Sequence, residues 1–133
     1  MRNPDNVFHL AIPCRDLEEA VKFYVTKLGC QLGRRYPDRI TLNVFGDQVV
    51  CHLAPDKIDL TPEIYPRHFG ITFRKRKDFE GILDLVRSTG IDLFQKPMIR
   101  FKGKPEEHET FFLKDPSNNL IEFKHYQNPD MMY

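Results

Sequence analysis

An internal repeat is the feature that most constrains the fold of this 133-residue chain. The segment HLAIPC, which begins at His9, resembles HFGITF, which begins at His68. The segment QVVCHL from Gln48 likewise resembles NNLIEF from Asn118, with His52 aligned to Glu122. A repeat of this kind predicts two copies of one supersecondary unit, because similar patterns favour paired modules that share a core.

The first half reads as a strand, a helix and three strands. A β-prone run over 7–13 precedes a helix that Asp16 caps and Gly29 ends, with apolar residues at helical spacing between them. Tight-turn signals separate the three segments that follow. These predicted strands cover residues 30–36, 39–45 and 48–54.

The second half repeats that order after a proline-rich connection over 55–66. A strand over 68–73 leads to a helix that Asp78 caps and Gly90 ends. The remaining predicted segments are an extended stretch over 91–101 broken at Pro97, a polar loop over 103–109, and strands over 110–114 and 119–125.

We therefore expect an α+β fold in one domain. Two βαβββ modules, at about residues 7–54 and 67–126 with a linker over 55–66, are predicted to form a curved mixed sheet with its helices outside. A cleft is expected on the concave face of this sheet.

Composition excludes several functions. Twenty Lys and Arg residues against nineteen Asp and Glu residues give a net charge of +1, which argues against nucleic acid as a partner. The sequence has no secretory signal and no apolar run near the roughly 18 residues needed to cross a bilayer, so we expect a cytoplasmic protein without a membrane partner. The three cysteines lack metal-ligand spacing and are predicted to be structural thiols in a reducing compartment.

Three histidines and one glutamate occupy related places in the repeat. Strand alternation puts His68 and Glu122 on the face opposite their apolar neighbours, and the repeat extends this placement to His9 and His52. Four such groups predict one divalent transition metal, with Fe, Mn, Zn, Ni and Cu all compatible with imidazole and carboxylate ligands. Alternatively, each histidine is a half-buried, hydrogen-bonded strand residue.

Three segments carry a resemblance to a known family. FHLAIPCRDLEEAVKFYVTKLGC, PRHFGITF and FFLKDPSNNLIEFKHY resemble the vicinal oxygen chelate superfamily of glyoxalase I, type I extradiol dioxygenases, fosfomycin-resistance enzymes and bleomycin-resistance proteins, over about residues 7–126. The ending DPSNNLIEF is similar to the family's DP-x-G-N-x-x-E block. Asn118 replaces the usual glycine there, and asparagine tolerates a positive φ better than most residues.

The resemblance implies a ligand set and a class of reaction. His9, His68 and Glu122 match the two-histidine, one-carboxylate triad of the extradiol dioxygenases. His52 falls where glyoxalase I has a fourth ligand, usually glutamate, or it acts as an acid or base beside the substrate. His52 and Glu122 are accordingly the predicted catalytic residues.

The leading functional hypothesis is an extradiol-type dioxygenase acting on a small molecule with vicinal oxygens. Two alternatives stay open: a glyoxalase I-like lyase or isomerase, and a non-catalytic ligand-sequestering protein of the bleomycin-resistance kind. Family members build the cleft within one chain or by exchanging modules between chains, and we expect a homodimer.

Several polar residues are predicted to contact the substrate. Arg100 and Lys102 precede a polar loop, and the resemblance makes an anion or substrate contact there plausible, against a solvated basic segment. Lys124 and Tyr126 share the face of Glu122 and are expected to line the mouth of the site or to pack at its edge.

Other polar residues are predicted to lie outside the site. His108 sits among glutamates and is expected at the surface. His125 has the opposite parity from Glu122 and is excluded as a ligand. The basic run over 74–77 is expected to form a solvated turn before the second helix.

Overall fold

The computed structural model describes residues 3–133 and divides them into two compact units. The first unit contains the chain up to Pro62 together with Asp115–Asn119, and the second contains Glu63–Lys114 with Leu120–Tyr133. Residues 1–2, part of the stretch inspected for a secretory signal, lie outside the described range. None of the helices in residues 3–133 has the length and apolarity that a membrane span requires.

A four-stranded mixed sheet organises the first unit. The strand order is β1-β4-β3-β2, in which β1 and β4 are parallel and the other pairs are antiparallel. The elements of this unit are β1 (His9–Cys14), α1 (Leu17–Val21), a π-helical continuation (Lys22–Lys27), β2 (Gln31–Arg35), β3 (Arg39–Val44) and β4 (Asp47–Leu53).

The first helix begins where the sequence predicts. The Asp16 side chain accepts a hydrogen bond from the Glu19 amide at 2.8 Å, which satisfies one of the free N–H groups of the first turn. Gly29 follows the helix with φ 78°, a left-handed conformation that suits glycine. Between these ends the helix changes from α to π geometry at Lys22, a difference that apolar spacing does not reveal.

Apolar side chains from one face of the first sheet form the core of this unit. Cys14, Cys51 and Ile40 are fully buried there, and Cys30 is 7% exposed. All three cysteines are free thiols, as predicted. Burial raises the pKa of Cys14 and of Cys30 to about 11, because a low-dielectric core disfavours the thiolate.

The second unit repeats the topology of the first. Its strand order is β5-β8-β7-β6, with β5 and β8 parallel, so the predicted βαβββ order is confirmed in both halves. Its elements are β5 (Phe69–Phe73), α2 (Arg76–Ser88), β6 (Leu93–Arg100), β7 (His108–Lys114) and β8 (Leu120–Tyr126). Short 3₁₀ turns occur at Pro55–Lys57 and Pro129–Met132.

The second helix starts earlier than predicted. Its N-cap residue is Lys75 rather than Asp78, and no side chain caps it. Asp78 lies in the first turn, where its negative charge favours the helix dipole. The predicted apolar face is correct, since Phe79, Ile82, Leu83 and Val86 are buried. The basic run over 74–77 is exposed as predicted, but only residues 74–75 form the turn, since α2 begins at Arg76.

Candidate metal centre

His68 and Glu122 come together in the second unit. Glu122 lies on β8 opposite Gly70 of β5, and His68 directly precedes β5. His68 Nε2 lies 3.3 Å from Glu122 Oε2. Strand alternation therefore predicted their common face correctly.

Gly70 permits this close approach of β5 to β8. A Cβ atom built at position 70 would lie 1.8 Å from the carbonyl oxygen of Glu122, so only glycine fits without moving the backbone. The strand that carries Glu122 is therefore held next to the residues that follow His68.

The His68 imidazole has a defined tautomer. Its Nδ1 atom lies 2.7 Å from the Ile64 carbonyl oxygen, which can only accept, so Nδ1 carries the proton and donates it. In the neutral ring Nε2 is then an acceptor that faces the Glu122 carboxylate. This contact is favourable when Nε2 is protonated and pairs with the carboxylate, or when both atoms bind a shared cation.

The Glu122 carboxylate is nearly buried and held from two sides. Thr110, which is 1% exposed, donates a hydrogen bond from Oγ1 to Glu122 Oε1 at 2.7 Å. Lys124 Nζ lies 3.1 Å from Oε2, the same oxygen that faces His68. The Lys124 ammonium is therefore the positive charge that balances Glu122, and Tyr126 lies beside it with its ring centroid 5.9 Å from Nζ.

His9 has the same local arrangement in the first unit. Its Nδ1 atom lies 2.5 Å from the amide oxygen of Gln48, the residue opposite it on β4. The proton on Nδ1 is thus donated to Gln48, and Nε2 is again left as an acceptor. In the neutral form, both rings therefore leave Nε2 as the nitrogen without a proton.

The register corrects the sequence alignment of His52. His9 is level with Gln48, whereas Glu122 is level with Gly70, two residues beyond His68. Val50 is therefore the counterpart of Glu122, and the alignment to His52 is wrong by two residues. Two hydrophobic segments of similar composition can be aligned in more than one register, because only strand pairing fixes which residues correspond.

His52 consequently lies apart from His9. It is opposite Pro13 and four residues beyond Gln48 along β4, which is about 13 Å at ~3.3 Å per residue. Its side chain is exposed, and no described residue hydrogen-bonds to its ring. Two imidazoles at this separation do not converge on one ion with Zn–N distances of about 2.1 Å.

His68 and Glu122 provide only part of the ligand set that a transition metal requires. In residues 3–133, no three His, Cys, Asp or Glu side chains lie close enough together to hold an ion. The His68–Glu122 pair nevertheless supplies one imidazole nitrogen and one carboxylate oxygen with the outer contacts typical of metal ligands. The pair fits two positions of a transition-metal site.

Of the predictions for the two remaining histidines, one is correct and one is wrong. His125 points to the opposite face of β8, as predicted, and its Nδ1 donates to the Phe73 carbonyl at 3.0 Å. The prediction that His108 is a surface residue is wrong, since His108 is 8% exposed. It starts β7 opposite Tyr126, whose ring covers it at 4.6 Å between centroids.

Arg100 and Tyr65 adjoin the pair. Arg100 ends β6 opposite His108 and donates from Nη1 to the Tyr65 hydroxyl at 3.2 Å. The Tyr65 ring packs edge-on against His68, with centroids 5.8 Å apart. No sequence pattern indicated Thr110 or Tyr65 as neighbours of the site. Thr110 lies diagonally across from Glu122, which only the strand register reveals, and Tyr65 lies in the connection that has no periodicity.

The DPSNN turn belongs to the first unit. The Asp115 carboxylate accepts hydrogen bonds from the Tyr24 hydroxyl and from the Ser117 and Asn119 amides, each at 2.8 Å. Asn118 has φ 64°, in agreement with the predicted tolerance of positive φ. Burial raises the pKa of Asp115, although these hydrogen bonds oppose the shift.

Comparison with known proteins identifies the family. The model of the Glyoxalase/Bleomycin resistance protein/Dioxygenase superfamily matches residues 6–123. A crystal structure of a glyoxalase/bleomycin resistance protein/dioxygenase from Alicyclobacillus acidocaldarius is 62% identical, with 100% of each chain covered and a TM-score of 0.97.

Two more distant proteins are also similar. The fosfomycin resistance protein FosX from Listeria monocytogenes shares the fold at 12% identity, with 96% of this chain and 98% of that chain covered and a TM-score of 0.72. The glyoxalase domain-containing protein RDO1 of Mycosarcoma maydis is 25% identical over 90% of this chain and 68% of its own length. The chain belongs to the Glyoxalase/Bleomycin resistance protein/Dioxygenase superfamily.

Proposed function

We propose that this chain is a metal-dependent enzyme that acts on a small molecule with two neighbouring oxygens, most closely an extradiol-type dioxygenase. His68 and Glu122 are two of the proposed ligands of one divalent transition metal, and the resemblance implies His9 as the third. When bound, such a metal supplies a Lewis acid that holds both substrate oxygens and stabilises the charge that develops on them.

The contact between His68 Nε2 and the Glu122 carboxylate is the observation that supports this proposal. His68 Nε2 and Glu122 Oε2 face each other at 3.3 Å, and the second heteroatom of each is anchored, by the Ile64 carbonyl and by Thr110 respectively. In this orientation a protonated histidine pairs with the carboxylate, and a neutral histidine shares a cation with it. A ligand pair needs this orientation, because the outer hydrogen bonds fix the tautomer and the ring direction.

Metal binding tests the ligand set directly. Purified protein is stripped of metal, dialysed separately against Fe²⁺, Mn²⁺, Ni²⁺ and Zn²⁺ without oxygen, and analysed by mass spectrometry. We expect about one equivalent of a preferred ion in the wild type and far less in His68→Ala, Glu122→Gln and His9→Ala. His125→Ala is the matched control, since that ring faces the other side of β8. Full retention of metal by H68A and E122Q contradicts the proposal.

His52 is tested in the same assay. The register argues against His52 as a fourth ligand beside His9, whereas its acid–base role stays a prediction from the resemblance. If His52→Ala retains the metal but loses turnover, an acid–base role is supported. If it retains both, His52 has neither role.

The reaction class requires a second assay. For a dioxygenase, Fe²⁺-loaded protein consumes O₂ when a catechol is added. For a glyoxalase-like lyase, Ni²⁺- or Zn²⁺-loaded protein converts a hemithioacetal without O₂. No O₂ uptake across a broad catechol panel would count against the dioxygenase.

The Lys124–Glu122 ion pair favours a second candidate, a binding protein without catalysis. The ammonium lies 3.1 Å from the oxygen that a metal would take, so the lysine can replace the ion as the charge partner of Glu122. For this candidate we expect less than roughly a tenth of an equivalent of every metal after reconstitution, while Lys124→Met gains metal affinity. If K124M does not change metal binding, Lys124 does not substitute for the ion.

We also propose that the protein is a homodimer, since members of this family build their cleft from two modules in either one chain or two. Light scattering coupled to size-exclusion chromatography tests it. A monomer at micromolar concentration would contradict it.

A further inference from the structure

Arg100 has an unusual environment for an arginine of this chain. It is half-buried, yet none of the described carboxylates lies within 4.0 Å of its guanidinium. Arg39, the other half-buried arginine among residues 3–133, has Asp38 at 2.9 Å. Arg100 is instead held by the Tyr65 hydroxyl at 3.2 Å and by the Phe101 ring at 5.5 Å. Its charge is thus positioned but not neutralised.

Tyr65 connects Arg100 to the proposed ligand pair. Its hydroxyl accepts from Arg100, so its own proton is available to a second acceptor. Its ring packs against His68 at 5.8 Å. A molecule bound beside His68 would therefore meet a guanidinium and a phenolic donor together.

The charges on this face of the second unit favour a negative partner. Lys124 and Glu122 neutralise each other at 3.1 Å, whereas Arg100, level with Tyr126 through His108, has no carboxylate partner among the described residues. A planar guanidinium matches a carboxylate or a phosphonate through paired N–H donors. One guanidinium and one hydroxyl suffice for the single charge of a carboxylate, whereas a phosphonate dianion needs more positive charge.

We propose that the substrate of this site carries a carboxylate in addition to its two neighbouring oxygens, and that Arg100 and Tyr65 bind that carboxylate. The inference rests on the proposed function and names the substrate class. Arg100 is the specificity-determining residue, and Tyr65 supplies the second donor while holding Arg100 in place.

Calorimetric titrations with matched probes test this inference. Catechol, 3,4-dihydroxybenzoate, benzoate and phenylphosphonate are titrated into the metal-free protein and into the protein loaded with Zn²⁺. We expect 3,4-dihydroxybenzoate to bind at least about tenfold more tightly than catechol, and benzoate more tightly than phenylphosphonate. In Arg100→Gln the preference for 3,4-dihydroxybenzoate should disappear while the affinity for catechol is unchanged, and Tyr65→Phe should reduce the preference.

Arg87→Gln is the matched control, because Arg87 is an exposed arginine of α2 and its loss removes the same charge. Circular dichroism and thermal unfolding verify that each variant folds. A preference that is absent in the wild type, or that survives in R100Q, overturns the inference. Tighter binding of phenylphosphonate overturns the choice of carboxylate.

Failure of the proposed function gives a different result. In that case catechol binds equally with and without metal, or not at all, while benzoate still binds in a manner that depends on Arg100. That outcome would support the anion site and reject the metal chemistry.

Discussion

At the scale of single residues, Thr110 determines how Glu122 points. We expect Thr110→Val to remove the hydrogen bond to Oε1 with little change of volume, and so to lower metal affinity by about 10- to 100-fold. Thr110→Ser should restore it, because the hydroxyl returns. Dialysis against the preferred metal measures the change.

Thr41→Val provides the control for this substitution. Thr41 is a buried threonine on β3, level with Val50, the counterpart of Glu122 in the first unit. It faces no carboxylate at that position, so T41V should bind metal normally. Equal losses in T110V and T41V would mean that any buried threonine matters and that Thr110 has no special role.

The buried thiols make stability depend on pH. Cys14 and Cys30 have a pKa of about 11 when folded, against about 8.5 in an unfolded chain. Between these values the unfolded state loses protons that the folded state keeps, so the free energy of unfolding falls as pH rises. Urea titrations at pH 7.5 and 9.5 should show this fall, and the double variant C14A/C30A should show a shallower one. An unchanged slope in the double variant would exclude Cys14 and Cys30 as its source.

Residue-level prediction succeeded where strand alternation alone decides the outcome. The common face of His68, Glu122 and Lys124 follows from period-two spacing, and the exclusion of His125 follows from the same rule. His108 was misjudged because its glutamate neighbours suggested solvent, whereas Tyr126 of the next strand covers its ring. A contact with another strand cannot be read from the neighbours in sequence.

At the scale of elements, the β5–β8 pairing depends on Gly70. Gly70→Ala would place a Cβ within 1.8 Å of the Glu122 carbonyl, so the two strands must separate. We expect a loss of at least about 2 kcal/mol in the free energy of unfolding, together with reduced metal binding because Glu122 moves.

Gly81→Ala is the matched control for this variant. Gly81 lies within α2, and a Cβ there meets nothing within 4 Å. Since alanine is the better helix former, this variant should be stabilised by about 0.5–1 kcal/mol. A G70A protein as stable as the wild type in urea would refute the steric argument.

The order of the elements was predictable, and their finer geometry was not. Asp16 and Gly29 bounded the first helix correctly, since capping and chain reversal are local effects. The π-helical turns after Val21 and the early start of α2 at Arg76 have no local signal of that strength. The two-residue error that placed His52 level with Glu122 arose because register is a property of strand pairs.

At the scale of the whole molecule, the Tyr24–Asp115 hydrogen bond joins segments that are 91 residues apart. Tyr24→Phe leaves the buried carboxylate without one donor and should cost about 1–3 kcal/mol at pH 7. Burial already raises the pKa of Asp115, and loss of the donor raises it further. Stability therefore falls more steeply as pH rises above about 4 in the variant, so the deficit should be larger at pH 7 than at pH 4.

Chemical unfolding at these two pH values measures the deficit. A cost that is equal at both values would indicate lost packing rather than a lost hydrogen bond to a charged group. Phe23→Leu, which alters the neighbouring ring 5.0 Å away, supplies that packing reference.

The order of strands and helices, which occurs twice, could be predicted for the entire chain because both halves show the same hydrophobic pattern. The membership of Asp115–Asn119 in the first unit could not be deduced. Its basis is a set of side-chain hydrogen bonds to Tyr24, Arg15 and Pro13, and none of these partners is near the turn in sequence.

Because Asp115–Asn119 belongs to the first unit, cutting the chain between the two repeats does not give two complete units. A peptide ending at Pro62 would keep all four strands of the first sheet but would lack the DPSNN turn that the Tyr24 hydroxyl and the Arg15 amide require. Expressed alone, such a fragment should be largely unfolded, and a synthetic copy of the turn should rescue it poorly. A chain of this first half alone would need the turn from a second molecule to complete the hydrogen bonds of Tyr24 and Arg15.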